Sequence, residues 1–365
     1  MLCFVLLSAC RETQHTEWEY NNPRNGGFQK VPFYEQECPA GMVLIKNAAN
    51  ESNSSTSDSV WANDFFISKY EETNGQYLVY LNWLQKYYSH STYLKALPYT
   101  NVWNEFLEDE VLGNYLSKNY FGNSAYYDFP VVGLTPKQIN NYADWKTDRI
   151  NEFIMIREEI LQYNLDAKDS SELFTTAGYL SNEYDPYKSK LIDINPAGKW
   201  KKNEIKRKVR WEDGILLPRL RLPTFDEWHQ AHFTDNVIET SAPLKVKKKY
   251  DKLKLFFYLN DVKDLAKNRK EEVYIMPKVL FKVYKNSSAI KHICALDSNA
   301  AEIVRHQYSF GVVGMSDNKT SQSNESEIKV SMKIEAKLDS SQTGFYGFRL
   351  AMDRLGPPFE LGTYR

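Results

Sequence analysis

Apolar residues recur at helical spacing in three stretches of this chain, and each stretch predicts a helix with one buried face. The first stretch covers residues 75–88, the second begins at Pro136 and runs to about Tyr163, and the third runs from Leu222 to Ala231. The spacing is clearest in the first stretch, where the apolar face consists of Tyr77, Tyr80, Leu81 and Leu84.

Each predicted helix is preceded by a capping signal. Thr73 or Asn74 is placed to accept a hydrogen bond from the first unpaired N–H groups of the first helix. Thr135 is the predicted cap of the second helix, and the proline after it suits the first helical position because that position needs no N–H partner. Thr224 and Glu227 lie three residues apart and predict a capping box at the third helix.

Short apolar runs between these helices predict strands. The runs lie at residues 41–45, 65–69, 129–134 and 347–351, and residues 245–285 add further strands or a hairpin. The sequence therefore predicts a mixture of helices and short strands.

Composition places the chain among globular proteins. Its 365 residues are 42% hydrophobic, which allows one large irregular domain or two domains. Lys and Arg number 46 and Asp and Glu number 47, so the net charge gives no argument for nucleic-acid binding. Insertions predicted near residues 165–215 and 240–285 carry basic runs at 201–210 and 245–254. Those runs either form solvated faces or meet anionic glycan, lipid headgroups or an acidic partner.

The first ten residues are apolar and end in Leu7-Ser-Ala-Cys10, which is similar to a bacterial lipobox. The pattern predicts a lipoprotein signal over residues 1–10, lipidation of Cys10 and a flexible polar tether over residues 11–40. No Lys or Arg precedes the apolar run. Either the true start codon therefore lies upstream, or the match is accidental and this is the frayed N-terminus of a soluble protein.

Cysteine and histidine give little support for a metal site. Of the four cysteines, two lie within the first ten residues, which leaves Cys38 and Cys294. These two either pair in an oxidising compartment or remain buried free thiols. No Cys-x-x-Cys motif occurs, which argues against zinc. His229 and His232 share a predicted helix face, but no third ligand is evident nearby.

Several charged residues are expected to pair inside the protein. In the second predicted helix, Asp148 and Arg149 either belong to a partner-binding face or make internal ion pairs. Arg221 and Glu227 predict a buried salt bridge at the start of the third helix. The other residues expected in that same network are Asp226, Arg349, Asp353 and Arg354.

Five sequence blocks occur in an order that resembles the formylglycine-generating-enzyme (sulfatase-modifying factor) family. They are Gly41-Met-Val43, Phe66-Ile-Ser-Lys-Tyr-Glu-Glu-Thr-Asn-Gly-Gln-Tyr77, Pro130-Val-Val-Gly-Leu-Thr-Pro136, Arg221-Leu-Pro-Thr-Phe-Asp-Glu-Trp228 and Gly347-Phe-Arg349. The resemblance covers roughly residues 41–356 and implies an α+β fold that is irregular, loop-rich and C-type-lectin-like, followed by a tail at 357–365. It also implies that Arg221, Thr224, Glu227 and Trp228 belong to a structural motif.

The resemblance implies an enzyme whose chemistry this chain lacks. The family oxidises its substrate with copper held by two cysteines placed shortly before the Gly-Phe-Arg block, and this chain has no cysteine after Cys294. In the family a segment matched here by Asn299 and Glu302 contributes calcium ligands, although the family's Gly and Trp are lost from it. Asn299 and Glu302 are therefore either the remaining part of a calcium site or residues that hold loops together through hydrogen bonds. No other cofactor is expected.

Within that family the chain is most similar to the gliding-motility and type IX secretion lipoproteins of Bacteroidetes. The likeness rests on Pro130-Val-Val-Gly133, the segment at residues 142–152 and the segment at residues 347–356. It implies a non-catalytic lipoprotein on the periplasmic face of the outer membrane, with other secretion or motility proteins as partners and no nucleic acid. The alternatives are a module that binds a glycan or peptide, and a residual oxidase.

Overall fold

A computed structural model describes most of the region in which the five blocks lie. The described residues are 41–46, 64–157, 161, 164, 166–181, 217–233, 237–238, 293, 299–306, 309–313 and 336–355. The predicted signal and tether, the tail, both basic runs, the strands expected at 245–285 and all four cysteines lie outside these residues.

The described residues form an α+β structure with small antiparallel sheets. The helices are α1 (Asn74–Tyr87), α2 (His90–Ala96), α3 (Val102–Phe106), α4 (Glu110–Asn119), α5 (Pro136–Arg157), α6 (Thr176–Leu180) and α7 (Phe225–Phe233). The strands are β1 (Met42–Ile45), β2 (Phe65–Ser68), β3 (Leu220–Arg221), β4 (Val237–Ile238), β5 (Glu302–His306), β6 (Ser309–Val313), β7 (Ala336–Leu338) and β8 (Ala351–Asp353). Among the helices described, none combines the length and the apolar character that crossing a bilayer requires.

The strands form two sheets that meet through the connection before β8. The larger sheet has the order β3-β8-β2-β1-β4, and the smaller has the order β5-β6-β7; neighbouring strands in both sheets are antiparallel. Gly347 lies beside Glu302 in a parallel bridge, and its carbonyl accepts the Ile303 N–H at 3.0 Å. The chain then continues into β8, so residues 347–350 run from the smaller sheet to the larger one.

The larger sheet is covered on both faces, which explains why β1 and β2 are buried at every position and apolar at all but Ser68. One face, including Met42, Leu44 and Phe66, packs against α1 and α5. The opposite face, including Val43 and Phe65, packs against α7 and the smaller sheet. The hydrophobic cluster formed there consists of Val43, Ile45, Phe65, Ile67, Trp228, Ala231, Ile293, Val304 and Val313. A strand buried on both faces loses the alternation of polar and apolar residues that marks a half-exposed strand.

Capping residues mark the helix starts as the sequence predicts. Thr73 Oγ1 accepts the Gln76 N–H at 3.2 Å, and Gln76 Oε1 accepts the Thr73 N–H at 2.8 Å. The same reciprocal pair joins Thr135 to Gln138 at the start of α5. At α7 the pair joins Thr224 to Glu227 at 2.8 and 3.2 Å. All three helix starts are thus closed by a capping box.

Two predicted strands are wrong in detail. Residues 129–134 are not a strand; their only ladder contact is a single bridge between Thr73 and Pro130. Gly133 has a φ of +80°, and a Cβ there would lie 2.3 Å from the Tyr99 carbonyl oxygen, so the chain turns at this glycine. The last strand begins at Ala351, and residues 347–350 before it form the connection between the two sheets.

Candidate functional site

A buried guanidinium lies where the two sheets meet. Arg349 is fully buried, and its Nε lies 2.9 and 2.8 Å from the two carboxylate oxygens of Glu302. Its Nη2 lies 2.5 Å from Glu302 Oε1, and Trp228 Nε1 donates to Oε2 at 3.1 Å. Arg349 and four buried residues near its guanidinium are called the Arg349 cluster; its members are Glu71, Trp228, Asn299, Glu302 and Arg349.

Separate parts of the fold position these side chains. Glu302 is the first residue of β5, Trp228 lies on α7, and Arg349 precedes β8. The guanidinium also donates from Nη1 to the Ser68 carbonyl at the end of β2, at 3.1 Å. A single side chain therefore holds both sheets and is hydrogen-bonded to elements that are far apart in sequence.

Glu71 is the second carboxyl group of the Arg349 cluster. It accepts a hydrogen bond from the Asn299 side-chain amide and another from the Ala300 N–H at 3.3 Å. Burial, reinforced by the neighbouring Glu302 charge and opposed by Arg349, raises the pKa of Glu71 from 4.5 to about 8. At neutral pH Glu71 is therefore mostly protonated, and one carboxylate balances one guanidinium.

Asn299 adopts a backbone conformation that suits this contact. Its φ is +78°, the only positive value at a non-glycine position among the described residues. Asparagine tolerates the left-handed region better than most side chains. Gly347 lies opposite, where a Cβ would come within 3.2 Å of Glu71 Oε1 and 3.1 Å of Ala300 Cβ. The close approach of the two loops therefore requires a small residue at position 347.

The donor set does not fit the calcium site that the resemblance implies. Calcium takes six to eight oxygen ligands. Both Glu302 oxygens instead accept N–H donors from Arg349 and Trp228, and the Asn299 amide nitrogen points to Glu71. Asn299 and Glu302 both belong to the Arg349 cluster, where Asn299 bonds to Glu71 and Glu302 bonds to Arg349 and Trp228.

A separate buried ion pair lies beside the Arg349 cluster at Glu72. Tyr142 donates to Glu72 Oε2 at 2.6 Å, and Lys146 Nζ lies 2.6 Å from Oε1. Both partners lie on one face of α5, since they are four residues apart. The Glu72 N–H is in turn bonded to the Phe348 carbonyl at 2.9 Å. This pair therefore fixes α5 to the connection that carries Arg349.

The expected network around Arg221 is divided. Arg221 pairs bidentately with Glu227 at 2.7 and 2.6 Å and also contacts Asp353. Arg349 and Arg354 do not join this network. Arg349 pairs with Glu302, and Arg354 pairs with Asp64 at 3.3 Å. The single network predicted from sequence is wrong in part. Asp353 contacts Arg221 as expected, but Arg354, the next residue along the chain, pairs with Asp64 because adjacent residues of an extended chain face opposite sides. Asp226 is exposed, and its side chain has no hydrogen bond or ion pair among those described.

Asp148 and Arg149 make internal contacts in the described structure. Arg149 pairs with Glu152 at 3.0 Å and stacks over the Trp83 ring, 4.4 Å from its centroid. Asp148 Oδ1 accepts the Thr176 N–H at 2.7 Å, and Arg149 donates to a backbone carbonyl before α6. Burial raises the pKa values of both Asp148 and Glu152. These contacts fasten α6 to α5.

The two histidines of α7 do not form a metal site in the described structure. The His232 ring stacks on the Trp228 ring with centroids 5.6 Å apart, while His229 lies near Phe225. In the part of the chain that the structure describes, no group of three or more His, Cys, Asp or Glu side chains could hold a metal ion. Cys10, Cys38 and Cys294 are outside that part.

The buried acidic pair at Glu71 and Glu72 is not predicted from the sequence. Both residues are almost fully buried, although they stand between a strand and a helix where charged residues are usually solvated. The available signal was their position directly before the Thr73 cap, in the second of the five blocks.

In comparisons with known proteins, no family model, curated protein or solved structure matches this chain.

Proposed function

We propose that this chain is a non-catalytic lipoprotein of the outer membrane with a formylglycine-generating-enzyme-like fold. It serves as a structural or assembly component of the gliding-motility and type IX secretion machinery. The observation that carries the proposal is a lipobox, Leu7-Ser-Ala-Cys10, joined to five ordered blocks of that family in a chain without cysteines after Cys294.

The missing cysteines support a role without the family's chemistry. The thiolate is both the metal ligand and the redox group in a copper site of this kind. Ser and His side chains cannot replace it, because they offer oxygen or nitrogen and not a soft, oxidisable sulfur. Within residues 336–355, which contain the last block, Arg349, Asp353 and Arg354 make hydrogen bonds and ion pairs within the fold.

The pairing of buried and partly buried charges supports a scaffold. Arg349 is paired with Glu302, Lys146 with Glu72, and Arg221 with Glu227. Buried ion pairs add little stability compared with apolar residues, but they exclude other arrangements because an unpaired buried charge is costly. Rigidly held loops suit a component that presents one fixed surface to its partners.

Lipidation at Cys10 is the first test. A tagged copy of the full chain is expressed in its native host and labelled with an alkyne fatty acid. We expect labelling of the wild-type chain and sedimentation with the outer-membrane fraction, and we expect Cys10→Ala to lose both. Cys3→Ala is the matched control and should keep both, because Cys3 lies in the segment that is removed.

The assembly role is tested in the same host by deleting the gene. The proposal predicts loss of surface spreading and of secreted cargo, both restored by the wild-type copy and not by Cys10→Ala. An unlabelled wild-type chain that stays in the soluble fraction would contradict the lipoprotein part. A deletion strain that spreads and secretes normally would contradict the role in the machinery.

A further inference from the structure

We infer that the guanidinium of Arg349 takes the place of a metal ion, so that residues 299–302 are fastened to the rest of the fold without calcium. The inference rests on the contacts of the Arg349 cluster and is independent of the lipoprotein role. It assigns to this chain a calcium-independent structural core.

First, the carboxylate oxygens of Glu302 are already occupied by hydrogen-bond donors. A carboxylate has about four lone-pair positions. Glu302 Oε1 lies 2.9 Å from Arg349 Nε and 2.5 Å from Nη2, while Oε2 lies 2.8 Å from Nε and 3.1 Å from Trp228 Nε1. Three N–H donors therefore make four contacts with the carboxylate, because the single Nε–H of Arg349 is shared between both oxygens, and a metal ion at this place would compete with these donors.

The second step is the sign of the charge. Arg349 is always protonated, because an arginine side chain does not lose its proton in proteins. A divalent cation bound to Glu302 would lie next to a positive charge in a buried region where water cannot screen the repulsion. Arg349 is fully buried and also donates to the Ser68 carbonyl. The guanidinium therefore cannot move toward solvent without losing these bonds.

The third step is the orientation of the remaining groups. Asn299 donates its amide N–H to Glu71, and the Ala300 backbone N–H points to the same carboxyl group at 3.3 Å. Glu71 is therefore held by donors of the 299–300 segment. Asn299 and Ala300 therefore present N–H groups to Glu71, and the oxygens of Glu302 face the guanidinium of Arg349.

Calcium dependence of unfolding tests the inference. The full chain is unfolded thermally in EDTA and in millimolar calcium chloride, and terbium is added as a luminescent calcium analogue. We expect the same unfolding midpoint in both solutions. We also expect no terbium emission sensitised by tryptophan beyond that of Glu302→Gln, in which the charge of the candidate ligand is removed.

Glu71→Gln is the second variant, chosen because it resembles the protonated carboxyl and should fold. A saturable rise of the wild-type midpoint with calcium, abolished in Glu71→Gln or Glu302→Gln, would overturn the inference. A rise that both variants retain would place calcium elsewhere in the chain and support a metal-free Arg349 cluster. No rise in any of the three proteins supports it equally.

Discussion

Replacing Arg349 with methionine is expected to lower the free energy of unfolding by about 3–5 kcal/mol, the range for breaking a buried ion pair from one side. Methionine fills much of the space but leaves the Glu302 carboxylate buried without its cation. The Ser68 carbonyl also loses a donor at 3.1 Å. Urea denaturation followed by tryptophan fluorescence measures the loss, and Trp228 lies within the affected cluster.

Two further variants separate the lost charge from the lost packing. Arg349→Met combined with Glu302→Gln should recover part of the loss, because the remaining partner no longer carries a buried charge. Arg219→Met is the matched surface control, since Arg219 is 72% exposed in its pair with Asp144. We expect it to cost less than about 1 kcal/mol. An Arg349→Met variant as stable as Arg219→Met would contradict the structural role of Arg349.

Stability is expected to fall as pH rises from about 4.5 to about 8 because of Glu71. Burial raises the pKa of this carboxyl to about 8 in the folded protein, whereas the unfolded chain keeps a value near 4.5. Between these values the unfolded state has released its proton and the folded state has not. The contribution of Glu71 is thus fully present below pH 4.5 and is lost as pH rises to 8, at on the order of 1 kcal/mol per pH unit.

Glu71→Gln isolates this contribution because the amide does not titrate. The free energy of unfolding of this variant should fall less steeply than that of the wild type between pH 5 and pH 8. Glu108→Gln is the control, since Glu108 is exposed and should leave the wild-type slope unchanged. Equal slopes for wild type and Glu71→Gln would show that Glu71 ionises normally in the folded protein.

Local signals were sufficient for the helices whose caps lie next to them in sequence. Thr73, Thr135 and Thr224 each bond to a residue three positions away, so both partners of the interaction lie within four consecutive residues. The three short helices α2 to α4 were not predicted. They bury only part of their surfaces, with Val111 80% exposed, so the apolar period that marks an amphipathic helix is weak.

Long-range partners of charged residues could not be predicted in the same way. Arg349 meets Glu302 and Ser68, which lie 47 and 281 positions away. Nothing local distinguishes these partners from Glu227, which pairs with Arg221 instead. The predicted strand at residues 129–134 failed for a related reason, because the turn at Gly133 is set by the Tyr99 carbonyl brought close by the tertiary fold.

The proposed absence of the family's oxidation chemistry is the central claim, and a copper(I) titration tests it most directly. The full, reduced chain is titrated anaerobically against a coloured copper(I) chelator, beside a Cys38→Ser/Cys294→Ser double variant. The account predicts that both proteins leave the same amount of copper on the chelator. One equivalent of tightly bound copper(I) in the wild type, absent from the double variant, would contradict it.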